Sequence, residues 1–210
     1  KKVDVHEQRL VVARDVSHFR LPKKAELCGR KVPLSDGEVS RRIEFEILLM
    51  MQDRGQVTLW LRRAKELFPR IEAVLSQNNG CDDLKYLALI ESGLRPAALS
   101  HASAKGYWQF IPSTGKHFGL SQHSNWDERS DFLKSTKAAH RYLTELHRKF
   151  GSWPLAMAAY NTGPSRLASE IEAQGVSRYW RLRLFREAER YVPRVIAAKI
   201  ILERLADFGM

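Results

Sequence analysis

The sequence predicts an all-α fold. Beyond about residue 36, apolar side chains recur every three to four positions, as on amphipathic helices, and the alternating patterns of strands are sparse. Clusters of glycine, proline and asparagine interrupt this spacing at the points where helices are expected to end. Hydrophobic residues make up 44% of the 210 residues, so the chain can build a core and a wholly disordered protein is excluded.

Three amphipathic helices are predicted before residue 78. The first follows a cap at Ser35 or Asp36 and ends at Asp53-Arg54-Gly55. The second covers Thr58 to Phe68 and should stop at the proline that follows it, and the third covers Ile71 to Leu75. The apolar residues that these helices must cover are Ile43, Ile47, Leu48, Leu59, Leu61, Leu67, Ile71 and Val74.

Residues 1–78 are expected to form an arm and a helical extension that dock on a catalytic domain of residues 79–210. The arm shows no helical period, although Val11-Val12-Ala13 could form a short strand. A segment of fewer than about 80 residues buries too little surface to be comfortably stable by itself. No linker rich in glycine, serine or proline separates the two parts.

The second part alternates helices with loops. The predicted helices are Asp82 to Ser92, Thr114 to Phe118, Ser130 to Phe150, Trp153 to Tyr160, Ser165 to about Ala173, and Arg186 to the C-terminus. Pro193 is expected to bend or restart the last of them.

The composition indicates an acidic partner without identifying it. The formal net charge is +11, and this excess must face solvent. Nucleic acid, anionic lipid and acidic cell-wall polymer all fit, and so does solubility alone. No apolar run approaches the roughly 18 residues of a membrane span, so no transmembrane segment is expected in this chain.

Cys28 and Cys81 either pair in an oxidising compartment or remain two free thiols. The histidines are scattered, and neither a Cys-x-x-Cys nor a His-Glu-x-x-His motif occurs. The sequence therefore predicts neither a metal site nor a cofactor.

Glu91 is the first candidate for chemistry. It ends an apolar helix, directly after Leu87-Ala88-Leu89-Ile90. A carboxylate in such surroundings loses hydration, which raises its pKa, and a raised pKa suits a general acid near neutral pH. An ordinary exposed glutamate at a helix end is the alternative.

Two further motifs carry side chains suited to sugars. Tyr107 and Trp108 precede Gln109 in a loop bounded by glycine and proline; aromatic rings stack on pyranoses, and an amide bonds hydroxyl or N-acetyl groups. Tyr160 and Asn161 end a helix, where their polar groups can face a cleft. Core packing is the alternative for the loop, and it is the preferred interpretation for Phe110 and Ile111. A helix C-cap formed with Asn161 and Gly163 is the alternative for the helix end.

Together, Glu91-Ser92-Gly93, Gly106-Tyr107-Trp108-Gln109 and Ala159-Tyr160-Asn161-Thr162-Gly163 resemble the catalytic domain of the family 1 lytic transglycosylases, in glycoside hydrolase family 23. The resemblance covers about Asp82 to Ala197 and is strongest to the D branch of the membrane-bound members. It implies a lysozyme-like (goose-type) catalytic domain with the helical N-terminal extension packed on it. It also implies cleavage of the MurNAc-β-1,4-GlcNAc bond of peptidoglycan without water, which leaves 1,6-anhydro-MurNAc ends.

The resemblance assigns roles to individual residues. Glu91 matches the sole catalytic acid and base, and Tyr191 matches a residue that helps to hold it. The residues matched to substrate binding or to the cleft are Ser92, Ser100, Tyr107, Trp108, Gln109, Tyr160, Asn161, Glu187 and Tyr191. The chain departs from the family pattern where Tyr107-Trp108 replaces Leu-Met, Thr162 replaces Ala and Glu189 replaces Arg.

Other functions fit parts of the sequence. Goose-type lysozymes hydrolyse the same bond but use aspartates to place water, and the sequence does not exclude one. A glycan-binding scaffold has no need of an acid at position 91, and a nucleic-acid binder is disfavoured because the positive charge is dispersed. The expected partners are peptidoglycan strands, with envelope-assembly proteins as further candidates. A monomer in the periplasm or cell envelope is expected, with its export signal absent from this chain.

Overall fold

The structure is a computed structural model that describes residues 19–77, 80–123 and 125–210. Within these ranges the α-helices are α1 (Gly37–Gln52), α2 (Arg54–Ser76), α3 (Leu84–Ser92), α4 (Pro112–His117), α5 (Phe132–Phe150), α6 (Trp153–Thr162), α7 (Pro164–Gln174) and α8 (Arg186–Glu203). Short antiparallel strands pair as β1 (Glu26–Leu27) with β2 (Arg30–Lys31) and as β3 (Gln122–His123) with β4 (Trp126–Asp127). The predicted all-α class is confirmed. The strand predicted at Val11-Val12-Ala13 lies outside the described residues.

Aspartates set the ends of the first two helices. The side chain of Asp36 accepts hydrogen bonds from the amides of Glu38 and Val39, so it is the N-cap of α1. Asp53 follows the last residue of α1 and accepts a hydrogen bond from the Gln56 amide, which starts α2. The predicted break between the two helices is therefore confirmed.

The prediction of two separate helices around Pro69 is wrong. α2 runs without interruption from Arg54 to Ser76 and contains Pro69. A proline inside a helix removes one hydrogen bond and costs about 3 kcal/mol. Leu67, Ile71 and Leu75 are all buried on α2, and each such burial contributes about 1.5–3 kcal/mol. Packing on this face therefore outweighs the local cost of the proline.

α8 is the centre of the core, because α1, α3 and α6 all pack against it. Val192, Val195 and Ile196 of α8 are fully buried. The alanines at positions 156, 158 and 159 are also fully buried, and their small size lets the neighbouring helices approach α6 closely. Pro193 lies inside α8, which continues past it without restarting.

The helical extension packs on the rest of the chain through α1. Ile43 and Ile47 are fully buried, and Arg42 donates a hydrogen bond to the carbonyl oxygen of Glu189 on α8. The expectation that the side chains of Leu48 and Leu59 are buried against an apolar surface is wrong, since they are 46% and 42% exposed. Each lies off the stripe of its helix that faces the core. The boundary proposed near residues 78 and 79 remains a prediction.

Cys28 and Cys81 form a disulfide, with their Cα atoms 5.3 Å apart. The two residues are 53 positions apart in sequence, and closing a loop of that size stabilises a fold by about 4 kcal/mol in the chain-entropy description. The bond ties the arm to the residue that precedes the Asp82-Asp83 turn into α3. Of the two alternatives for the cysteines, the structure supports the pair.

Candidate active site

Both ends of α3 are held by residues from elsewhere in the chain. Before its first turn, Asp83 accepts hydrogen bonds from the Cys28 amide at 2.7 Å and from Nζ of Lys199 at 2.6 Å. After its last turn, Gly93 adopts a left-handed backbone with φ 61°, and its carbonyl accepts a hydrogen bond from Arg63 at 2.9 Å. The last turn of α3, which carries the predicted acid, therefore has a fixed position.

Glu91 lies partly buried in that last turn, and the phenol of Tyr191 on α8 donates a hydrogen bond to its Oε1. Loss of hydration raises the pKa of Glu91 from 4.5 to about 7. The hydrogen bond from Tyr191 and the charge of Arg194 lower this pKa, while the charge of Glu187 raises it. The carboxyl group is therefore substantially protonated near neutral pH, and its Oε2 remains for a substrate.

A cleft of about 750 Å³ opens over Glu91. The predicted site residues that the structure brings together along it are Glu91, Ser100, Gln109, Tyr160, Asn161 and Glu187. Glu91 and Glu187 are the carboxylates among the described lining residues, and no aspartate is among them. The arrangement offers one protonated acid, one second carboxylate and several amide and hydroxyl groups.

One wall of the cleft is the loop that joins α3 to α4. Hydrogen bonds from Arg129 fix the position of this loop. Arg129 is buried and donates to two backbone carbonyls of the loop, at 2.7 and 2.9 Å. Its ion pair with Asp127, at 2.8 Å, contributes to an Asp127 pKa of about 2, so the pair stays charged near neutral pH. A Cβ atom on Gly106 would lie 1.8 Å from the carbonyl oxygen of Arg129. This close approach explains the glycine of the motif.

Gln109 adopts a left-handed backbone, with φ 48°. For a residue other than glycine this conformation costs about 1 kcal/mol or more, and it tends to occur at functional sites. The side-chain Nε2 donates to the carbonyl oxygens of Ala98 at 3.1 Å and Gly106 at 2.9 Å. Its Oε1 is therefore the group that Gln109 can offer to a ligand.

Tyr160 and Asn161 reach the cleft from the last turn of α6. The Tyr160 hydroxyl donates to the carbonyl oxygen of Trp108 at 2.6 Å, which joins α6 to the loop. Asn161 Nδ2 lies 3.4 Å from Oε1 of Glu187, and its own Oδ1 is buried without a partner among the described residues. Such an oxygen costs about 1–3 kcal/mol, so a ligand donor would stabilise it. Gly163 is the helix C-cap, as one alternative expected, whereas Asn161 lies within the last turn of α6.

Four predicted substrate-binding residues lie outside the cleft lining, namely Ser92, Tyr107, Trp108 and Tyr191. Tyr191 contacts Glu91 from α8 instead. The ring of Trp108 is completely buried and donates to Oγ1 of Thr136 at 3.0 Å, so neither ring face is free for a sugar. Ser92 is buried and donates to the carbonyl oxygen of Tyr107 at 2.7 Å. The Tyr107 ring packs edge-on against Phe132. The burial of Trp108 and Ser92 thus contradicts direct sugar contacts by these two side chains. Tyr107 is only partly buried, and its role in substrate binding stays a prediction.

Other residues line the cleft without having been predicted to bind substrate, among them His101, Ile111 and Tyr142. Ile111 was expected in the core, yet it is 42% exposed. Tyr142 lies on α5 with its ring 5.1 Å from that of Tyr160. In the sequence, Tyr142 is indistinguishable from the core positions of an amphipathic helix, and His101 is a single histidine in a loop. No local signal separates either from a structural residue.

A buried cluster of charged residues joins α1 to α8 beside Tyr191. Glu46 is 2% exposed, and its carboxylate accepts hydrogen bonds from Arg190 at 2.5 and 3.1 Å. The same carboxylate lies 3.5 Å from Nε of Arg194. Arg190 and Arg194 bracket Tyr191 on α8, so this cluster fixes the segment that carries the phenol bonded to Glu91. No motif in the sequence marks Glu46 for this role.

Cys28, Cys81 and Asp83 form the one group in the described ranges whose side chains lie close enough together to suggest a metal site. The two sulfur atoms are bonded to each other. The Asp83 carboxylate accepts hydrogen bonds from the Cys28 amide and from Lys199. This group is therefore a structural tie at the start of α3.

The all-α fold and a cleft over a partly buried carboxyl group at a helix end define a lysozyme-like domain. Residues 71–182 match the family model described as the transglycosylase SLT domain. The chain belongs to this family. α1 and α8, which carry Glu46 and Tyr191, lie outside the matched range.

The chain is also similar to proteins named membrane-bound lytic murein transglycosylase D. It is 38% identical over 153 residues to the protein of that name in Escherichia coli strain K12, and the values are the same for Escherichia coli O6:H1 strain CFT073. The aligned region is 70% of this chain and 34% of each relative. The chain thus spans about a third of the length of these curated relatives.

Proposed function

We propose that this chain is a peptidoglycan lytic transglycosylase that cleaves the MurNAc-β-1,4-GlcNAc bond and leaves 1,6-anhydro-MurNAc ends. The observation that carries this proposal is Glu91, a carboxyl group with a pKa of about 7 at the base of a cleft and hydrogen-bonded to Tyr191. Membership of the SLT family and the names of the relatives support the same substrate.

In the first step, Oε2 of protonated Glu91 donates its proton to the oxygen that joins MurNAc to GlcNAc. The bond from that oxygen to C1 of MurNAc breaks, and GlcNAc leaves with a hydroxyl group. The 2-acetamido oxygen of MurNAc stabilises the positive charge that develops at C1. The hydrogen bond from Tyr191 to Oε1 stabilises the carboxylate formed on the enzyme.

In the second step, ionised Glu91 removes the proton of the C6 hydroxyl of MurNAc as that oxygen bonds to C1. Glu91 recovers its proton, and no water is consumed. Capture by a hydroxyl of the same sugar gains from proximity, so a second carboxylate is not required. Gln109 Oε1 and Asn161 Oδ1 are the acceptors that we assign to amide or hydroxyl hydrogens of the glycan.

Hydrolysis is the alternative, and Glu187 is the observation in its favour. Most glycosidases use two carboxylates, one of which activates a water, and Glu187 lines the same cleft as Glu91. Mass spectrometry of the products from purified sacculi distinguishes the two reactions, because an anhydro end has one water less than a reducing end. We expect anhydro ends. Reducing ends as the sole products would overturn the proposed function in favour of a muramidase.

The rate should fall as the pH rises through about 7, because the reaction begins with protonated Glu91. This fall is the alkaline limb of the plot of kcat/KM against pH, and two variants should move that limb in opposite directions. Tyr191→Phe removes a hydrogen bond that stabilises the anion, so the limb should move to higher pH. Glu187→Gln removes a neighbouring negative charge, so the limb should move to lower pH. Shifts in the same direction would contradict this account of the Glu91 environment.

Gln109→Ala should weaken the binding of chitooligosaccharides by about tenfold, because a polar group that bonds the ligand is lost. Binding is measured calorimetrically with a Glu91→Gln background, so that the ligand is not cleaved. Trp108→Phe is the matched control from the same motif. It should lower the melting temperature by loss of the bond to Thr136 and leave the affinity of the folded protein unchanged. Equal effects on affinity from the two changes would assign Gln109 to the core.

The proposed reaction belongs in the periplasm or cell envelope, where peptidoglycan lies, and glycan strands are the proposed partner. The net charge of +11 suits association with an acidic wall. Among the helices of the described ranges, none combines the length and the apolar character needed to cross a membrane.

A further inference from the structure

A second cavity opens off the side of the catalytic cleft. This side pocket has a volume of about 430 Å³ and shares Thr114, Tyr142 and Pro164 with the cleft lining. We propose that the side pocket binds the peptide substituent of the muramyl residue whose glycosidic bond is cleaved. This proposal rests on the proposed function, because it concerns the same substrate.

The side pocket lies between α4 and α5 and combines an apolar base with charged walls. Phe118 and Leu146 are buried at its base. Glu145 and Lys149 are exposed residues of α5 that line it, one helical turn apart. The pocket therefore offers an apolar surface together with one negative and one positive group.

The two charged groups do not neutralise each other. A glutamate four residues before a lysine is a favourable pair on a helix, yet Glu145 and Lys149 are not among the salt bridges of the described residues. The ammonium group of Lys149 instead lies 5.5 Å from the centre of the Phe150 ring. Both groups remain able to bond a ligand that carries charges of both signs.

The chemistry of the substrate supplies such a ligand. The sugars of a glycan strand are neutral, so a further sugar in this pocket would form no ion pair with either charged group. The peptide borne by a muramyl residue carries free carboxylates, which suit Lys149, and N–H or ammonium groups, which suit Glu145. Its apolar side chains and methyl groups suit Phe118 and Leu146. Because the pocket adjoins the cleft, one muramyl residue can occupy both.

The test compares a substrate that carries the peptide with one in which a free lactyl carboxylate stands in its place. Glycan strands are prepared with their peptides, and a second portion is stripped of them by an amidase. Lys149→Ala and Glu145→Ala should each lower kcat/KM on the peptide-bearing strands by about tenfold, which is the effect of losing one charged hydrogen bond. Both variants should cleave the stripped strands as fast as the unmodified protein does. Arg148→Ala, an exposed neighbour on α5 that does not line the pocket, is the matched control and should change neither rate.

An equal loss on both substrates would overturn the proposal and make the pocket a sugar site, and no loss on either would overturn it outright. A separate binding measurement distinguishes failure of this proposal from failure of the proposed function. Peptide-bearing disaccharide is titrated into the Glu91→Gln protein, with and without Lys149→Ala. Weaker binding through Lys149→Ala supports the pocket even if no strand is cleaved. Unchanged binding overturns the pocket while leaving the proposed reaction intact.

Discussion

Glu91→Gln should abolish wall-lytic activity, with a fall in kcat/KM of about a thousandfold or more. The amide can neither donate a proton to the glycosidic oxygen nor remove one from the C6 hydroxyl. The measurement is the release of soluble muropeptides from purified sacculi. Glu187→Gln, which alters the other carboxylate in the cleft, is the matched control and should retain activity within about tenfold. If the control were the inactive variant, the acid would have been assigned to the wrong carboxylate.

Stability provides a second readout for Glu91→Gln. Folding raises the pKa of Glu91 from 4.5 to about 7, so its contribution to stability is full below pH 4.5 and is lost as the pH rises through 7. The glutamine does not titrate. At alkaline pH the variant should therefore be more stable than the unmodified protein, by about 2 kcal/mol once solvent in the cleft is allowed for. The difference should vanish at acidic pH, and urea titrations at the two extremes measure it.

The sequence predicts elements and motifs well where the signal is local. The helix ends at Asp36, Asp53 and Gly151 follow from capping chemistry that a few residues contain. Pro69 was misleading because the helix propensity of proline reflects only local effects such as the lost hydrogen bond. The burial of one face of α2 depends on tertiary packing, which a local pattern does not contain. Trp108 was misleading for a related reason, since a motif of aromatic residues does not show which way its rings turn.

Residues that reach the site from a distance are the hardest to predict. Tyr142 and Glu46 lie on ordinary amphipathic helices, and only tertiary packing brings one to the cleft and the other to α8. The family match ends at residue 182, before the Tyr191 that contacts Glu91. A working site in this chain therefore depends on α1 and α8 as well as on the matched region.

Glu46→Ala should destabilise the protein by about 3 kcal/mol and lower its activity. Removal of a buried carboxylate leaves two guanidinium groups, those of Arg190 and Arg194, without their counter-charge. Removing one partner of a fully buried ion pair costs about 3–5 kcal/mol, and the lower end applies here because both arginines are partly exposed. Urea unfolding measures the loss of stability. Glu44→Ala, an exposed glutamate on the same helix, is the matched control and should change stability by less than about 0.5 kcal/mol.

Glu46→Gln separates a positioning role from a purely structural one. The amide keeps the size of the side chain and one acceptor, so α8 and Tyr191 should stay in place, but Arg194 loses the charge that neutralises it. The positive charge of Arg194 lowers the pKa of Glu91, and without Glu46 this effect should grow. The alkaline limb of the kcat/KM profile should then move to lower pH, the direction opposite to that of Tyr191→Phe. An unchanged profile in a folded Glu46→Gln protein would show that α1 supports α8 mechanically without influencing the acid.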